Sequence, residues 1–303
     1  MRKGKLTTQY RGRFAPSPSG SLHFGSLIAA TASYLDAKAN KGKWLLRIED
    51  VDTPRVRDGA IQSIIHTLDT YGFEWDESIL YQSQRFDAYQ AALDELIAAK
   101  HVYPCSCSRK SLNKIAKFGT CGLIYPGLCR NGLHQAESQL RTQRLLTNNN
   151  AIQFYDRVEG MQSQRLESEL GDFALKRSDG IYTYQLAVVV DDAYQGITDI
   201  VRGEDLLDNT ARQLYLQQLL GYSRPRYLHF PTARDKSGNK LSKQNHAPEI
   251  QVKNKRLNIH KSLAFLGQHP PDINNFDNTT DLWKWAINHW DSSDIKSNHS
   301  MSI

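Results

Sequence analysis

The stretch Arg13–Ala30, RFAPSPSGSLHFGSLIAA, decides how this chain is read. Tyr10 to Phe14 has the composition of a short strand. Pro16 to Gly20 forms a turn, because proline fixes φ and glycine relaxes it. From His23 to Ala39 the pattern is helical, with Leu22, Leu27, Ala30, Tyr34 and Ala37 able to share one face. Turn-formers, serines and a histidine therefore stand where a strand hands over to a helix. In an open parallel sheet, ligands bind beyond the carboxyl ends of the strands. The first turn of the following helix offers N–H groups and an electropositive end to an anion. There His23 can donate to a phosphate oxygen, and Gly25 lets a flat base or ribose approach the backbone. Taken alone, His23 also has a plainer reading, as a helix cap or a packed surface histidine. Neither GxGxxG nor GxxxxGK[ST] occurs in the chain, so a nucleotide must be held in another way.

Working outward, Trp44 to Ile48 reads as a second strand, followed by the turn-like EDVDTP. Strand, helix and strand at this spacing make a βαβ unit of a parallel sheet. A helix is expected from about Arg57 to Thr70, and a clearer amphipathic one over Arg85–Lys100, with Phe86, Tyr89, Leu93, Leu96 and Ile97 at helical spacing. Ala151–Tyr155 suits a strand, and LESELGDFALKRSDG (166–180) a strand and hairpin turning at Ser178-Asp179-Gly180. The apolar run YTYQLAVVVDD (182–192) fits a strand or a buried helix start, which periodicity cannot separate. Asp199–Arg202 is a strand ending in GED, with a helix expected over Asp208–Leu220. Near the end, Leu282, Trp283, Ala286, Ile287 and Trp290 share one helical face. The fold class is α/β.

Of 303 residues, 40% are hydrophobic and 23% charged, the composition of a globular protein with room for one large or two smaller domains. There is no apolar run of about 18 residues or more, so no membrane span is expected. The basic start MRKGKLTTQYRGRF leads into no apolar segment, so a secretory signal is not expected and the cytoplasm is. Lys plus Arg exceeds Asp plus Glu by 38 to 32, a net +6 that fits a polyanionic partner or simple solubility.

Two further features bear chemistry. RDKSGNKLSKQ (234–244) places Arg234, Lys236, Lys240 and Lys243 among Ser, Gly and Asn. Its amines can close on phosphates as point charges, where charge on a leaving group needs stabilising; the plainer reading is a solvated basic loop. All four cysteines, Cys105, Cys107, Cys121 and Cys129, lie within 103–130, a stretch rich in Gly, Ser and Lys that interrupts the α/β rhythm. A disulfide scaffold would spread them through a smaller secreted chain. Four thiolates at this density can hold zinc, and the residues alone leave the ligand set open.

Together the two loops resemble the class I aminoacyl-tRNA synthetases. Their HIGH motif is matched by His23-Phe24-Gly25-Ser26, and their KMSKS motif by Lys240-Leu241-Ser242-Lys243-Gln244. RFAPSPSGSLHFG, LRIEDVDTPR (46–55), YQLAVVVDD and DIVRGEDLL resemble the glutamyl branch, and the likeness runs from about residue 10 to 245. It implies a Rossmann-like class I catalytic domain over 1–245, including a zinc-binding insertion at 103–130, and a short, mainly helical region over 246–303. It implies that ATP, with Mg²⁺, is held by His23, Gly25, Lys240, Ser242 and Lys243, with His23 and Lys243 catalytic. It further implies a glutamate site formed by Arg13, Phe14, Ala15, Pro16, Ser17, Glu49, Tyr184 and Arg202. In such a site the arginines bind carboxylates bidentately and Glu49 holds the ammonium; which arginine takes which carboxylate stays open. The chemistry implied is attack of the α-carboxylate on the α-phosphorus of ATP.

A subgroup of that branch is similar in C-x-C…Y-x₃-C, which implies one structural Zn²⁺ on Cys105, Cys107, Tyr125 and Cys129, with Cys121 a rival for the tyrosine. Of the 303 residues 59 follow Gln244, so a full anticodon-binding domain is not expected. The chain thus resembles the truncated bacterial paralogues called glutamyl-Q tRNA(Asp) synthetases. These activate glutamate without tRNA and attach it to queuosine at the wobble position of tRNA(Asp), so the queuosine-bearing anticodon loop is the implied partner. A monomer is expected. The alternatives are a glutamyl-tRNA synthetase that charges the 3′ end, and a non-catalytic zinc-containing RNA-binding module.

Overall fold

A computed structural model describes residues 9–119, 122–133, 141–233 and 248–297. The opening stretch folds as β1 (Arg11–Phe14), a turn, α1 (Phe24–Ala39) and β2 (Lys43–Ile48). β1 and β2 are parallel, with Arg11 opposite Lys43 and Phe14 opposite Leu46, so the first unit is βαβ. The turn is tied to the strand beside it, since the Glu49 N–H donates to Pro16 O at 3.0 Å.

α2 (Ala60–Thr70) follows. It begins three residues later than Arg57 because Gly59, at φ +72°, cannot continue a helix. Next come β3 (Asp76–Tyr81), parallel to β2, and α3 (Phe86–Ala98). The buried stripe of α3 is Tyr89, Ala92, Leu93 and Leu96; Phe86 and Ile97, counted on that face from spacing, are exposed.

The cysteine region is carried by β4 (Val102–Cys105), α4 (Arg109–Leu112), β5 (Phe118–Gly119), β6 (Gly122–Leu123) and β7 (Thr142–Leu145). Then come β8 (Ala151–Asp156), β9 (Gly160–Arg165), α5 (Leu166–Glu169) and β10 (Phe173–Lys176). β4, β7 and β10 form a small antiparallel sheet that closes the base of the module. The segment read as strand and hairpin from 166 thus opens with a helical turn, and its strand begins at Phe173.

The ambiguous apolar run is a helix, α6 (Tyr184–Tyr194), in which Gln185 to Asp192 are all buried. A helix covered on every side loses the polar face that would reveal its period. It is followed by β11 (Asp199–Gly203), α7 (Thr210–Leu219), β12 (Arg226–Phe230), α8 (Lys255–Phe265) and α9 (Thr279–His289). β11 pairs in parallel with β12, β12 with β8, and β8 forms a hairpin with β9.

The β1–β2–β3 sheet and the four-stranded β11–β12–β8–β9 sheet meet at β1 and β11. Thr198 N–H donates to Arg11 O at 3.0 Å, and Arg11 N–H to Thr198 Oγ1 at 2.9 Å. β2 lies on one side of β1 and β11 on the other, so the carboxyl ends of β1 and β11 flank the switch point where open α/β sheets bind ligands.

The described part of the C-terminal region shares a core with this first half. Ile259, Leu263, Leu282, Trp283 and Ala286 pack with Tyr34, Trp44 and Phe73. Trp283 Nε1 donates to Tyr71 O at 2.9 Å, and Trp290 Nε1 to the buried carboxylate of Asp36 at 3.0 Å. Among the described residues no helix is long and apolar enough to cross a membrane.

Candidate active site

At the switch point lies a cleft of approximately 480 Å³. Arg13 to Ser17, His23, Gly25, Glu49, Tyr184 and Arg202 all line it, although they come from β1, the turn, α1, the end of β2, α6 and β11. Lys240, Ser242 and Lys243 lie outside the described residues. On one flank of that segment Thr232 and Ala233 line the cleft. On the other, Glu249 forms a β-bridge with His23.

His23 is both a cap and a cleft residue. Its Nδ1 accepts the Ser26 N–H at 3.2 Å at the start of α1. With that lone pair engaged, a neutral ring carries its proton on Nε2, a donor suited to an anion at the helix N-terminus.

The charged groups of the floor hold one another. Arg13 Nε donates to Asp192 Oδ1 at 3.0 Å, and Arg47 Nη1 to the same oxygen at 2.8 Å. Burial would raise the Asp192 carboxyl, but the two guanidinium groups hold it below the usual carboxylate range. Glu49 is less well matched, with Arg47 Nη2 at 3.5 Å from its Oε1. Burial pushes Glu49 up to about 6 against the pull of Arg47 and Arg13. It is a carboxylate short of positive charge and would gain from a ligand ammonium. Across the cleft Arg202 Nη1 reaches Tyr184 Oη at 3.4 Å, and burial raises the Tyr184 hydroxyl, so it stays a donor.

Sequence reasoning passed over Arg47 and Asp192. Both stand in the quoted segments LRIEDVDTPR and YQLAVVVDD. Their contact joins positions 145 residues apart, and two adjacent aspartates give no sign of which faces an arginine.

The cysteine module forms a second cluster. The sulfurs of Cys105, Cys107 and Cys129 lie within 4.8 Å of one another, with Cys107 and Cys129 3.6 Å apart. Tyr125 Oη is 3.3 Å from Cys105 Sγ and 3.7 Å from Cys107 Sγ. Tetrahedral zinc, with Zn–S near 2.3 Å and Zn–O near 2.0–2.2 Å, sets sulfurs about 3.8 Å apart and sulfur and oxygen about 3.5 Å apart. The four side chains therefore have the dimensions of such a site. Burial pushes the Cys107 thiol up to about 12, with Cys105 and Cys129 adding to the rise; a divalent cation supplies the charge that three crowded thiolates need. Cys121, the rival to Tyr125, lies outside the described residues.

The body of the protein grips this module. Gly171, at φ +71°, bridges to Tyr125, and a Cβ there would stand 2.6 Å from Tyr125 N. Buried Asp172 takes Arg130 Nε at 2.7 Å, Thr147 N–H at 2.8 Å and the Tyr103 hydroxyl.

The model of the family described as tRNA synthetases class I (E and Q), catalytic domain, matches residues 9–297. A glutamyl-Q tRNA(Asp) synthetase of Dechloromonas aromatica is 50% identical over 287 residues, covering 94% of this chain and 95% of the relative. One of Pseudomonas aeruginosa is 49% identical over 293 residues, covering 96% of each. The chain belongs to the glutamyl-Q tRNA(Asp) synthetase family of the class I synthetases. It is accordingly an enzyme of the ligase type. A crystal structure of glutamate-tRNA synthetase from Elizabethkingia anophelis superposes with a TM-score of 0.79 at 23% identity, covering 96% of this chain and 68% of that one. That likeness concerns the fold: an α/β class I catalytic domain.

Proposed function

We propose that the chain activates L-glutamate with ATP and transfers it to queuosine at the wobble position of tRNA(Asp), acting as a cytoplasmic monomer. The observation that carries the first step is the charge pattern of the cleft. Arg13, Arg202 and the electron-rich carboxylate of Glu49 line one cavity, with Arg55 and Asp205 also on its wall, and glutamate offers two carboxylates and one ammonium. The α-carboxylate attacks the α-phosphorus and pyrophosphate leaves. A hydroxyl of the acceptor then attacks the mixed anhydride, forming an ester and releasing AMP and a proton. No general base is needed in the first step, because the nucleophile is already ionised. Catalysis is positioning and electrostatic stabilisation. His23 donates to the phosphates at the helix N-terminus, and Lys243, with Lys240, Ser242 and Gly25, completes the ATP site. ATP arrives with Mg²⁺ as part of the substrate.

The second step is supported by the relatives of nearly equal length that carry the glutamyl-Q tRNA(Asp) synthetase name. A further chamber of approximately 240 Å³ adjoins the cleft and shares Ser17, Glu49, Arg55 and Tyr184 with it, leaving room for an acceptor group. The stretch 103–130 holds five basic residues and no acid, a charge that suits RNA phosphates. Cys105, Cys107, Tyr125 and Cys129 hold a structural Zn²⁺ that stiffens this stretch.

The test is transfer of labelled glutamate to tRNA(Asp) that has or lacks queuosine, with and without enzymatic removal of the 3′-terminal adenosine. Label only on the queuosine form, surviving removal of that adenosine, is expected. Label on tRNA(Glu) that vanishes when the 3′ adenosine is removed would make this a charging enzyme instead. Lys243→Ala should lower the rate of ATP–pyrophosphate exchange more than it changes the glutamate KM.

A further inference from the structure

Arg202 donates all five of its N–H groups, and the contacts divide by side. Nε reaches His229 Nε2 at 2.9 Å, Nη1 reaches Gln213 at 2.9 Å, and Nη2 reaches Thr210 Oγ1 at 2.8 Å. These three partners are buried behind the cleft wall. The two long contacts, to Tyr184 Oη at 3.4 Å and Leu206 O at 3.3 Å, are made to residues that line the cleft. A carboxylate entering the cleft would displace the two weak contacts and leave the three short ones in place.

His229 must present a lone pair to Arg202, and Asp156 dictates that it does. Its Oδ2 lies 2.6 Å from His229 Nδ1, and both side chains are fully buried. Asp156 Oδ1 accepts the backbone N–H groups of Val158 and Glu159 at 3.0 Å each. These bonds, with the histidine, hold the carboxyl below its usual range despite burial. An ionised carboxylate only accepts, so Nδ1 carries the proton and Nε2 is left to receive Arg202 Nε–H. Burial pushes His229 down to about 4, which keeps the ring neutral. The three residues sit on neighbouring strands, with Arg202 and His229 as register partners on β11 and β12 and Asp156 opposite Tyr227 on β8.

We propose that Asp156 and His229 are positioning residues for Arg202: Asp156 fixes the Nδ1–H tautomer of His229, whose Nε2 turns the guanidinium so that its Nη1–Nη2 edge faces a carboxylate of the amino-acid substrate. The proposal rests on the assignment of Arg202 to that substrate. Asp156→Asn keeps the shape and the backbone contacts. Its amide would donate to Nδ1, drive the proton to Nε2 and set N–H against N–H at Arg202. His229→Gln preserves the donor and acceptor in order, whereas His229→Leu removes both.

The experiment is ATP–pyrophosphate exchange with purified full-length variants, paired with ¹⁵N-histidine NMR. Asp156→Asn and His229→Leu should raise the glutamate KM about tenfold or more while the ATP KM stays within about twofold, and His229→Gln should stay near wild type. In Asp156→Asn the protonated nitrogen of His229 should move from Nδ1 to Nε2, a signature that mere loss of packing would not give. If Asp156→Asn does not fold, the contrast between His229→Gln and His229→Leu decides. Equal glutamate KM in those two variants, or a flipped tautomer with an unchanged glutamate KM, would overturn the relay. Arg202→Ala is the reference: an unchanged glutamate KM there would overturn the pocket reading and this proposal with it.

Discussion

The cleft and the cysteine module are ordered by different means. The cleft sits on strand ends and helices whose own core is closed: Leu22, Leu46 and Ile48 near it are buried to within 1%, and its charged residues hold each other. The module has a core of little more than Cys105, Leu112, Tyr125 and Cys129, with Ile115 and Phe118 left exposed. A cluster that small offsets little of the chain entropy of ordering it, and the proposed zinc would supply the rest. One region should therefore survive loss of its ligand and the other should not.

The largest expected effect breaks the module alone. Cys107→Ser should abolish zinc retention, since structural zinc contributes about 10–16 kcal/mol of apparent binding energy in small folds at neutral pH. Hydrogen exchange should then accelerate through the module while amides of α1 and β11 keep their protection. Equal loss of protection in both regions would make the molecule one cooperative unit and end the contrast. Retention of one zinc per chain would refute the ligand set.

Gly171→Ala tests the same region more gently. The alanine would need a left-handed backbone and would press on Tyr125 N and O at 2.6 and 2.7 Å, at a cost of about 1–3 kcal/mol. Zinc should be lost to a competing chelator faster than from wild type. Unchanged zinc retention would mean that Tyr125 is not held from Gly171.

In the cleft the effect is a pH dependence rather than a loss of fold. Glu49 stands at about 6, above its ordinary 4.5. Between those values the folded state binds the extra proton, so ionising Glu49 costs up to about 2 kcal/mol of stability as pH rises through the window. An ammonium bound there needs the ionised form. The glutamate KM should therefore rise as pH falls below about 6, approaching tenfold per pH unit, and Glu49→Gln should raise it and flatten that dependence. A flat wild-type profile between pH 5 and 7 would remove Glu49 from ammonium binding.

The same contrast explains what could be read from sequence. The strand–turn–helix at Arg13–Ala30 was legible because Pro, Gly and a capping histidine act locally. The groups that set the cleft's electrostatics, Arg47 with Asp192 and Asp156 with His229, are joined by contacts 145 and 73 residues apart, and neither pair leaves a local pattern. β9 (GMQSQR) alternates intermediate and exposed positions and buries no side chain fully, so no apolar period announced it. The module's candidate ligands were legible as types, and the resemblance alone ranked Tyr125 with the cysteines. Its attachment through Gly171 and Asp172 was hidden, because those residues belong to a later segment.

The smallest effect concerns what the module is for. Arg109, Lys110, Lys114 and Lys117 are exposed, as is Phe118 at 80%. If this face meets RNA phosphates, each lysine removed should lower the slope of log K against log salt by a little under one. Lys114→Ala and Lys117→Ala should weaken tRNA binding a few-fold at physiological salt and leave ATP–pyrophosphate exchange untouched if activation takes place in the cleft, as proposed. A matching fall in exchange would show that the module acts on the cleft through the fold. An unchanged salt slope would move the RNA contact elsewhere, and the module would then be only a metal-held brace.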